Sequence, residues 1–135
     1  MTHLDTSFLV DLLRERRRDE FGPASECLEA LPDDEVLAVS VHVVCELMAG
    51  ASQAGAPRGE MERLSQLCNS LLIRYPDERF AAAYARLLTS LLRGGSAIGT
   101  TDLLIATAAV LDGGTLVTRN RRHFAKVPGL DVSAY

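Results

Sequence analysis

The sequence has no tryptophan, a single lysine, three cysteines and no long apolar run. Aromatic residues make up only 5% of it, which leaves little material for the exposed stacking platforms on which many proteins hold single-stranded bases. Without about 18 consecutive apolar residues there is no candidate membrane helix. Cys27, Cys45 and Cys68 are odd in number and widely spaced, a pattern that fits neither a disulfide framework nor a zinc site and predicts a reducing, cytoplasmic setting. The opening MTHLDTSFLVDLL carries an acid at position 5 and no basic leader before an apolar stretch, so no signal peptide is expected.

What is present is a globular composition. The chain is 47% hydrophobic and 24% charged, and its 135 residues suit one domain, residues 1–135, better than two marginal cores. A formal net charge of -4 excludes a generic polyanion-binding protein, whose affinity comes from neutralising phosphates with Lys and Arg. It does not exclude a nuclease that attracts phosphate through bound cations. Thirteen of the fourteen basic residues are Arg, and the stretch from Arg119 to Lys126 gathers a basic patch that the global sum conceals.

Short β-rich runs alternate with helical periodicity. Residues 2–4 read as a strand, stopped by Asp5-Thr6-Ser7, after which Phe8, Leu9, Leu12 and Leu13 recur at helical spacing up to the Arg16-Arg17-Arg18 run. A short helix over 24–31 ends at Pro32, and 35–39 is a strand meeting Ser40, a good helix N-cap. The helix that follows, to about Gly50, has an apolar stripe of Val43, Val44, Leu47, Met48 and Ala51, with Glu46 well off it. Residues 51–59 read as a loop, 60–69 as a helix and 70–74 as a strand closed by Pro76. Phe80, Tyr84, Leu87, Leu88 and Leu91 mark a long amphipathic helix ending at Gly94-Gly95. Thr100-Thr101-Asp102 opens a helix to Leu111 that is apolar on nearly every side and must be buried. A strand at 115–118, a helical turn at 120–124 and a strand at 130–132 complete the pattern. Strands alternating with crossover helices predict an α/β fold with a mainly parallel, five-stranded sheet.

In such sheets, sites gather at the carboxyl ends of the strands where chain order reverses. Asp5 follows the first strand, Glu46 lies in the helix after the second, Asp102 opens the buried helix, and Asn120 comes just after the fourth strand. Three carboxylates and an amide oxygen converging there would make a hard oxygen site suited to Mg2+ or Mn2+, which activate water and stabilise a phosphoryl transition state. Each residue also has a plainer reading. Asp5 with Thr6 and Ser7 can cap the first helix, and Asp102 suits a first helical turn. Glu46 can be a solvated residue paired with His42 one turn earlier, and Asn120 a turn or cap residue. Arg119, Arg121 and Arg122 either guide a phosphate backbone or decorate a solvated turn. His42 and His123 accompany no nucleophile in a recognisable motif and receive no role.

The segments LDTSFLVDLL, SVHVVCELMAG, IGTTDLLIATAAVLDGG and TLVTRNRRHFAKVPGLDVSAY, in that order and over the whole chain, resemble the PIN-domain ribonucleases, and most closely the VapC toxins of bacterial toxin–antitoxin pairs. The resemblance implies an α/β/α sandwich around a parallel sheet, and a Mg2+- or Mn2+-dependent endoribonuclease restrained by a cognate VapB-like antitoxin. It implies metal ligation by Asp5, Glu46 and Asp102, and a catalytic role for Asn120 at a position that carries an acid in other members. Thr6, Ser7 and Thr118 match small hydroxyl positions around the pocket, although Ser7 stands where the family more often has Asn. The resemblance also implies a homodimer or a larger toxin–antitoxin assembly, with the N-terminal helices and the 51–59 loop as antitoxin contacts. Two other classes stand beside it. One is a non-catalytic PIN-fold binding partner. The other is a receiver-like Mg2+-binding module, which would need an acid ending a middle strand and a lysine ending the last, whereas the 70–74 strand has no acid and Lys126 is the only lysine.

Overall fold

Strand-forming runs of three or four residues separated by amphipathic helices can bury themselves only by lying side by side, and that is how this chain folds. The computed structural model describes residues 1–135. In chain order the elements are β1 (Thr2–Leu4), α1 (Thr6–Arg17), α2 (Pro23–Glu29), β2 (Leu37–Ser40), α3 (Val41–Ser52) and α4 (Pro57–Cys68). Then come β3 (Leu72–Arg74), α5 (Phe80–Arg93), α6 (Thr100–Leu111), β4 (Thr115–Val117), α7 (Arg121–Phe124) and β5 (Asp131–Ser133). All five strands are parallel, in the order β3-β2-β1-β4-β5.

Chain order therefore reverses beside β1, with β2 and β3 built outward on one side and β4 and β5 on the other. Right-handed crossovers running in opposite directions put α1 to α4 on one face of the sheet and α5 to α7 on the other. The helix contacts group in the same way, α1 on α2 and α3, α3 on α4, α5 on α6, and α6 on α7, and α3 also meets α6 between the two groups. The expected α/β/α sandwich is the fold observed. Its core joins Leu4, Val39, Leu116 and Val117 of the sheet to Phe8 and Leu12 of α1 and Leu103 and Ile105 of α6. Leu103, Ile105, Ala106, Thr107, Ala108 and Ala109 of α6 are all buried, as its nearly uniform apolarity predicts. The one hydroxyl among them, on Thr107, is satisfied by donating to the Leu103 carbonyl at 2.7 Å.

Two polar ties fix how neighbouring elements pack. Glu15 of α1 accepts from the backbone N–H groups of Gly22 (2.8 Å), Ala24 (3.0 Å) and Ser25 (2.9 Å), so a side chain of one helix caps the start of the next. Burial opposes ionisation of Glu15, but these donors outweigh it and hold the carboxyl below the usual range. A Cβ at Gly22 would stand 2.7 Å from the Glu15 Cδ, so the position admits only glycine without rearrangement. At the far end of α6, Asp112 accepts a bidentate pair from Arg74 Nε and Nη2, both at 2.8 Å, and meets His3 Nε2 at 2.7 Å.

Several boundaries differ from expectation: α2 spans Pro23–Glu29, β2 Leu37–Ser40, β4 Thr115–Val117 and β5 Asp131–Ser133, and three further shifts lie around α4. Helix α4 begins at Pro57 instead of residue 60, because proline is tolerated at the first helical position, where its missing N–H has no partner to lose. Helix α3 runs on to Ser52, which shortens the predicted 51–59 loop to residues 53–56. Strand β3 starts at Leu72, since Ser70 lies in the turn that follows α4, where its hydroxyl donates to the Leu67 carbonyl at 2.8 Å. Met48, placed in the apolar stripe of α3 by periodicity, is 43% exposed.

Candidate active site

Asp5 continues the pairing of β1 with β4 by one residue, its backbone N–H donating to the Val117 carbonyl at 3.0 Å. It occupies the N-cap position of α1 with extended backbone, yet its side chain makes no capping hydrogen bond. The cap reading of Asp5 is thereby corrected. Its carboxylate is turned instead to the switch point between β1 and β4, where Oδ2 accepts from Thr118 Oγ1 at 2.7 Å and Ser7 Oγ at 2.9 Å. Each hydroxyl has one proton, and both are committed to Asp5, so the 3.2 Å approach of Ser7 to Thr118 is proximity without a further bond. The hydroxyls are oriented in turn by backbone donors, Arg119 N–H to Ser7 Oγ at 3.1 Å and Asn120 N–H to Thr118 Oγ1 at 3.0 Å. Asp5 is buried, and its Oδ1 carries no hydrogen bond.

Asp102 reaches the same edge from the opposite layer, in the first turn of α6. Burial, and then the negative charge of Asp5, push its carboxyl above the usual carboxylate range. Glu46 is exposed on α3, and its Oε1 accepts from Thr6 Oγ1 at 2.7 Å. The alternative pairing of Glu46 with His42 does not form. His42 Nδ1 lies 2.8 Å from Ser40 Oγ and its ring stacks on Phe80 at 5.7 Å. Asn120 sits at the N-cap of α7 without a side-chain cap bond, which removes the cap reading there too.

The structure brings Asp5, Ser7 and Thr118 into direct contact and sets Asp102 within their field. Glu46 joins through Thr6, next in sequence to Asp5. No group of three or more His, Cys, Asp or Glu side chains is gathered tightly enough to enclose a metal, so the three acids do not form a closed cage in this conformation. What the donor set does offer is a pair of carboxylates that repel each other and form no ion pair with Lys or Arg, with the His123 imidazole placing Nδ1 3.7 Å from Asp102 Oδ2. Uncompensated hard oxygens of this kind fit Mg2+ or Mn2+ and discriminate little between them.

Arg119, Arg121 and Arg122 divide into two kinds. Arg119 Nη1 is held by both oxygens of Asp11, at 2.8 and 3.0 Å, whereas Arg121 and Arg122 are exposed and enter no ion pair. His123, assigned no role from the sequence, is the residue that reasoning missed at this edge. Its signal was available: it lies three residues after Asn120, one helical turn along α7.

Residues 3–130 match the PIN domain family. The chain belongs to that family. Among curated PIN-domain relatives, the protein is 33% identical to the ribonuclease VapC2 of Rickettsia felis over 103 residues, 76% of this chain and 77% of the relative. It is 26% identical to the ribonuclease VapC1 of Methanocaldococcus jannaschii, over 98% of this chain and 85% of the relative. The PIN domain also superposes on the crystal structure of VapBC2 from Rickettsia felis bound to a DNA fragment from its promoter, with a TM-score of 0.88, 28% identity and coverage of 99% and 98% of the two chains.

Proposed function

We propose that this PIN domain, spanning residues 1–135, is a divalent-metal-dependent endoribonuclease of the VapC type, inhibited by a cognate antitoxin. The observation that carries the reading is the Asp5–Asp102 pair at the topological switch point, two carboxylates that repel each other and have no Lys or Arg to offset them. The curated VapC relatives are named as ribonucleases, which supports RNA as the substrate class.

Asp5 and Asp102 would hold Mg2+ or Mn2+, with Glu46 completing the ligand set. The ion supplies activation of water and stabilisation of the charge that builds on a phosphodiester. Ser7 and Thr118 fix Asp5 in one orientation by binding Oδ2, which leaves Oδ1 free for ligation. Thr6 does the same for Glu46 by binding Oε1, which leaves Oε2 free for ligation. The amide of Asn120 offers a neutral oxygen at the same edge, and the free guanidinium groups of Arg121 and Arg122 meet the RNA backbone.

Beside the acids a groove of about 420 Å³ opens between α1, α3 and α4, lined by Val10, Leu13, Leu47 and Leu64 and bordered by Thr6 and Glu46. An apolar antitoxin segment laid there would cover the mouth of the site. A second copy of the chain is proposed to cover the exposed Leu72, Tyr75 and Leu92. No helix is long and apolar enough to cross a membrane, and the three cysteines are unpaired, which supports a cytoplasmic setting.

The deciding experiment incubates purified protein with total cellular RNA in Mg2+, Mn2+ or EDTA, alongside Asp5→Ala. Discrete fragments that require both metal and Asp5 are expected. Cleavage that persists in EDTA or in the variant would remove the acid site from the reaction.

A further inference from the structure

The hydroxyls that bind Asp5 come from two segments, Ser7 on the first turn of α1 and Thr118 after β4, joined directly by the Arg119 N–H to Ser7 Oγ bond. A second cluster, one turn further along α1, ties the same segments together through side chains. Asp11 is mostly shielded from solvent and takes donors from three directions: Arg119 Nη1, Arg14 Nη1 at 3.0 Å and the Tyr135 hydroxyl at 2.6 Å. Arg119 is the residue whose backbone N–H orients Ser7, and it directly follows Thr118. Tyr135, beyond β5, also stands 3.3 Å from the Ser7 carbonyl and sets its ring edge-on against Phe8 at a centroid distance of 4.9 Å. A phenol has one proton, and the shorter contact to a charged acceptor claims it. Burial, and then that bond to Asp11, push the Tyr135 phenol well above its ordinary pKa, so it stays a donor throughout the neutral range.

We propose that Asp11 and Tyr135 are positioning residues of the acid site: together they clamp the segment after β4 onto α1 and so hold Ser7 and Thr118 on Asp5. Neither touches the acids. The chain of contacts runs from Tyr135 to Asp11, from Asp11 to the Arg119 side chain, from the Arg119 backbone to Ser7, and from Ser7 to Asp5. This role rests on the reading of Asp5 as a metal ligand. Partners that orient a ligand from behind are commonly worth 10 to 100-fold in metal affinity or activity, and a relay through Arg119 and Ser7 belongs near the lower end, about tenfold.

The test uses Tyr135→Phe, which keeps the ring against Phe8 and deletes only the hydroxyl, and Asp11→Asn, which keeps shape and deletes the charge. Mn2+ affinity is read from the loss of the free-ion paramagnetic resonance signal, and RNA cleavage is resolved into kcat and KM beside the melting temperature. Tyr135→Phe is expected to melt within a few degrees of wild type, bind Mn2+ about tenfold more weakly and lose about tenfold in kcat with KM unchanged. Asp11→Asn should do the same more strongly. A lowered melting temperature with Mn2+ affinity and kcat at wild-type values would assign the cluster to stability alone and overturn the proposal. Wild-type protein that binds no Mn2+ in an Asp5-dependent way would overturn the metal-site reading and this inference with it, whereas wild-type binding matched by both variants would overturn the inference only.

Discussion

Thr118 donates its hydroxyl to Asp5 Oδ2 at 2.7 Å across 113 positions of sequence, and both residues are buried. The bond joins the ends of β1 and β4 at the one place where the sheet changes direction. Thr118→Val preserves the volume and the β-branch, removes one of the two donors to Asp5 and strands the Asn120 N–H that Thr118 accepts. Leaving buried polar groups short of a partner costs about 1 to 3 kcal/mol, so stability to urea should fall by that order. RNA cleavage should fall about 10 to 100-fold, because the Asp5 carboxylate is no longer fixed. Full activity in Thr118→Val would show that Ser7 alone suffices.

Asp102 predicts the opposite combination. Its carboxyl is pushed above the usual range by burial and by Asp5, so ionisation is less favourable in the folded chain than in the unfolded one, and at neutral pH that difference costs stability. Asp102→Asn removes the charge and keeps the shape. Without metal the variant is expected to melt about 1 to 3 °C higher than wild type, the shift of a fraction of a kcal/mol in a chain of this size. Cleavage should drop by about a hundredfold or more through loss of a ligand. A lower melting temperature, measured by differential scanning calorimetry in EDTA, would instead mean that Asp102 serves α6 as a first-turn acid.

The order of strands and helices was legible because each element writes its period into a few neighbouring residues, and the rule that sites gather at strand ends pointed to the edge where Asp5 and Asp102 lie. The missed features are those that depend on residues far apart. Nothing around position 5 says that its carboxylate declines the cap, since that depends on Thr118. Nothing around position 46 favours Thr6 over His42, which is nearer in sequence but occupied by Ser40 and Phe80. The Asp11–Tyr135 bond spans 124 positions, and no local pattern encodes it. The start of α4 is a different case: Pro57 carried the signal, and a proline was read as a loop residue when it was a first helical residue.

Glu15 gives a test of the scaffold apart from the chemistry. Its two oxygens accept three backbone N–H groups at the start of α2, and a glutamine there would aim an NH2 at one of those donors. Glu15→Gln should lose about 1 to 3 kcal/mol at pH 7. The folded carboxyl lies below its ordinary value of 4.5, so its contribution is complete above that pH and fades as acid titrates it through the lowered folded value. Urea unfolding at pH 7 and again near pH 3 should therefore show the gap between wild type and variant narrowing in acid. A gap that stays constant would assign the effect to packing against Gly22 instead of charge.

Arg121 and Arg122 should behave unlike Arg119, although the three stand almost side by side. The first two are exposed and unpaired, so their charges are available to phosphate, whereas the charge of Arg119 is already committed to Asp11. Replacing Arg121 and Arg122 together by alanine is expected to raise KM for RNA with little change in kcat. Each lost contact to a single-stranded phosphate should flatten the dependence of log affinity on log salt by about 0.7, so the double variant should flatten it by about 1.4. Arg119→Ala should instead lower kcat and leave the salt dependence near that of wild type, because what it removes is the tie between α1 and the segment after β4. Cleavage measured across a salt series for both variants separates the two roles. A salt slope that falls equally in both would mean that Arg119 leaves Asp11 for the RNA when substrate arrives.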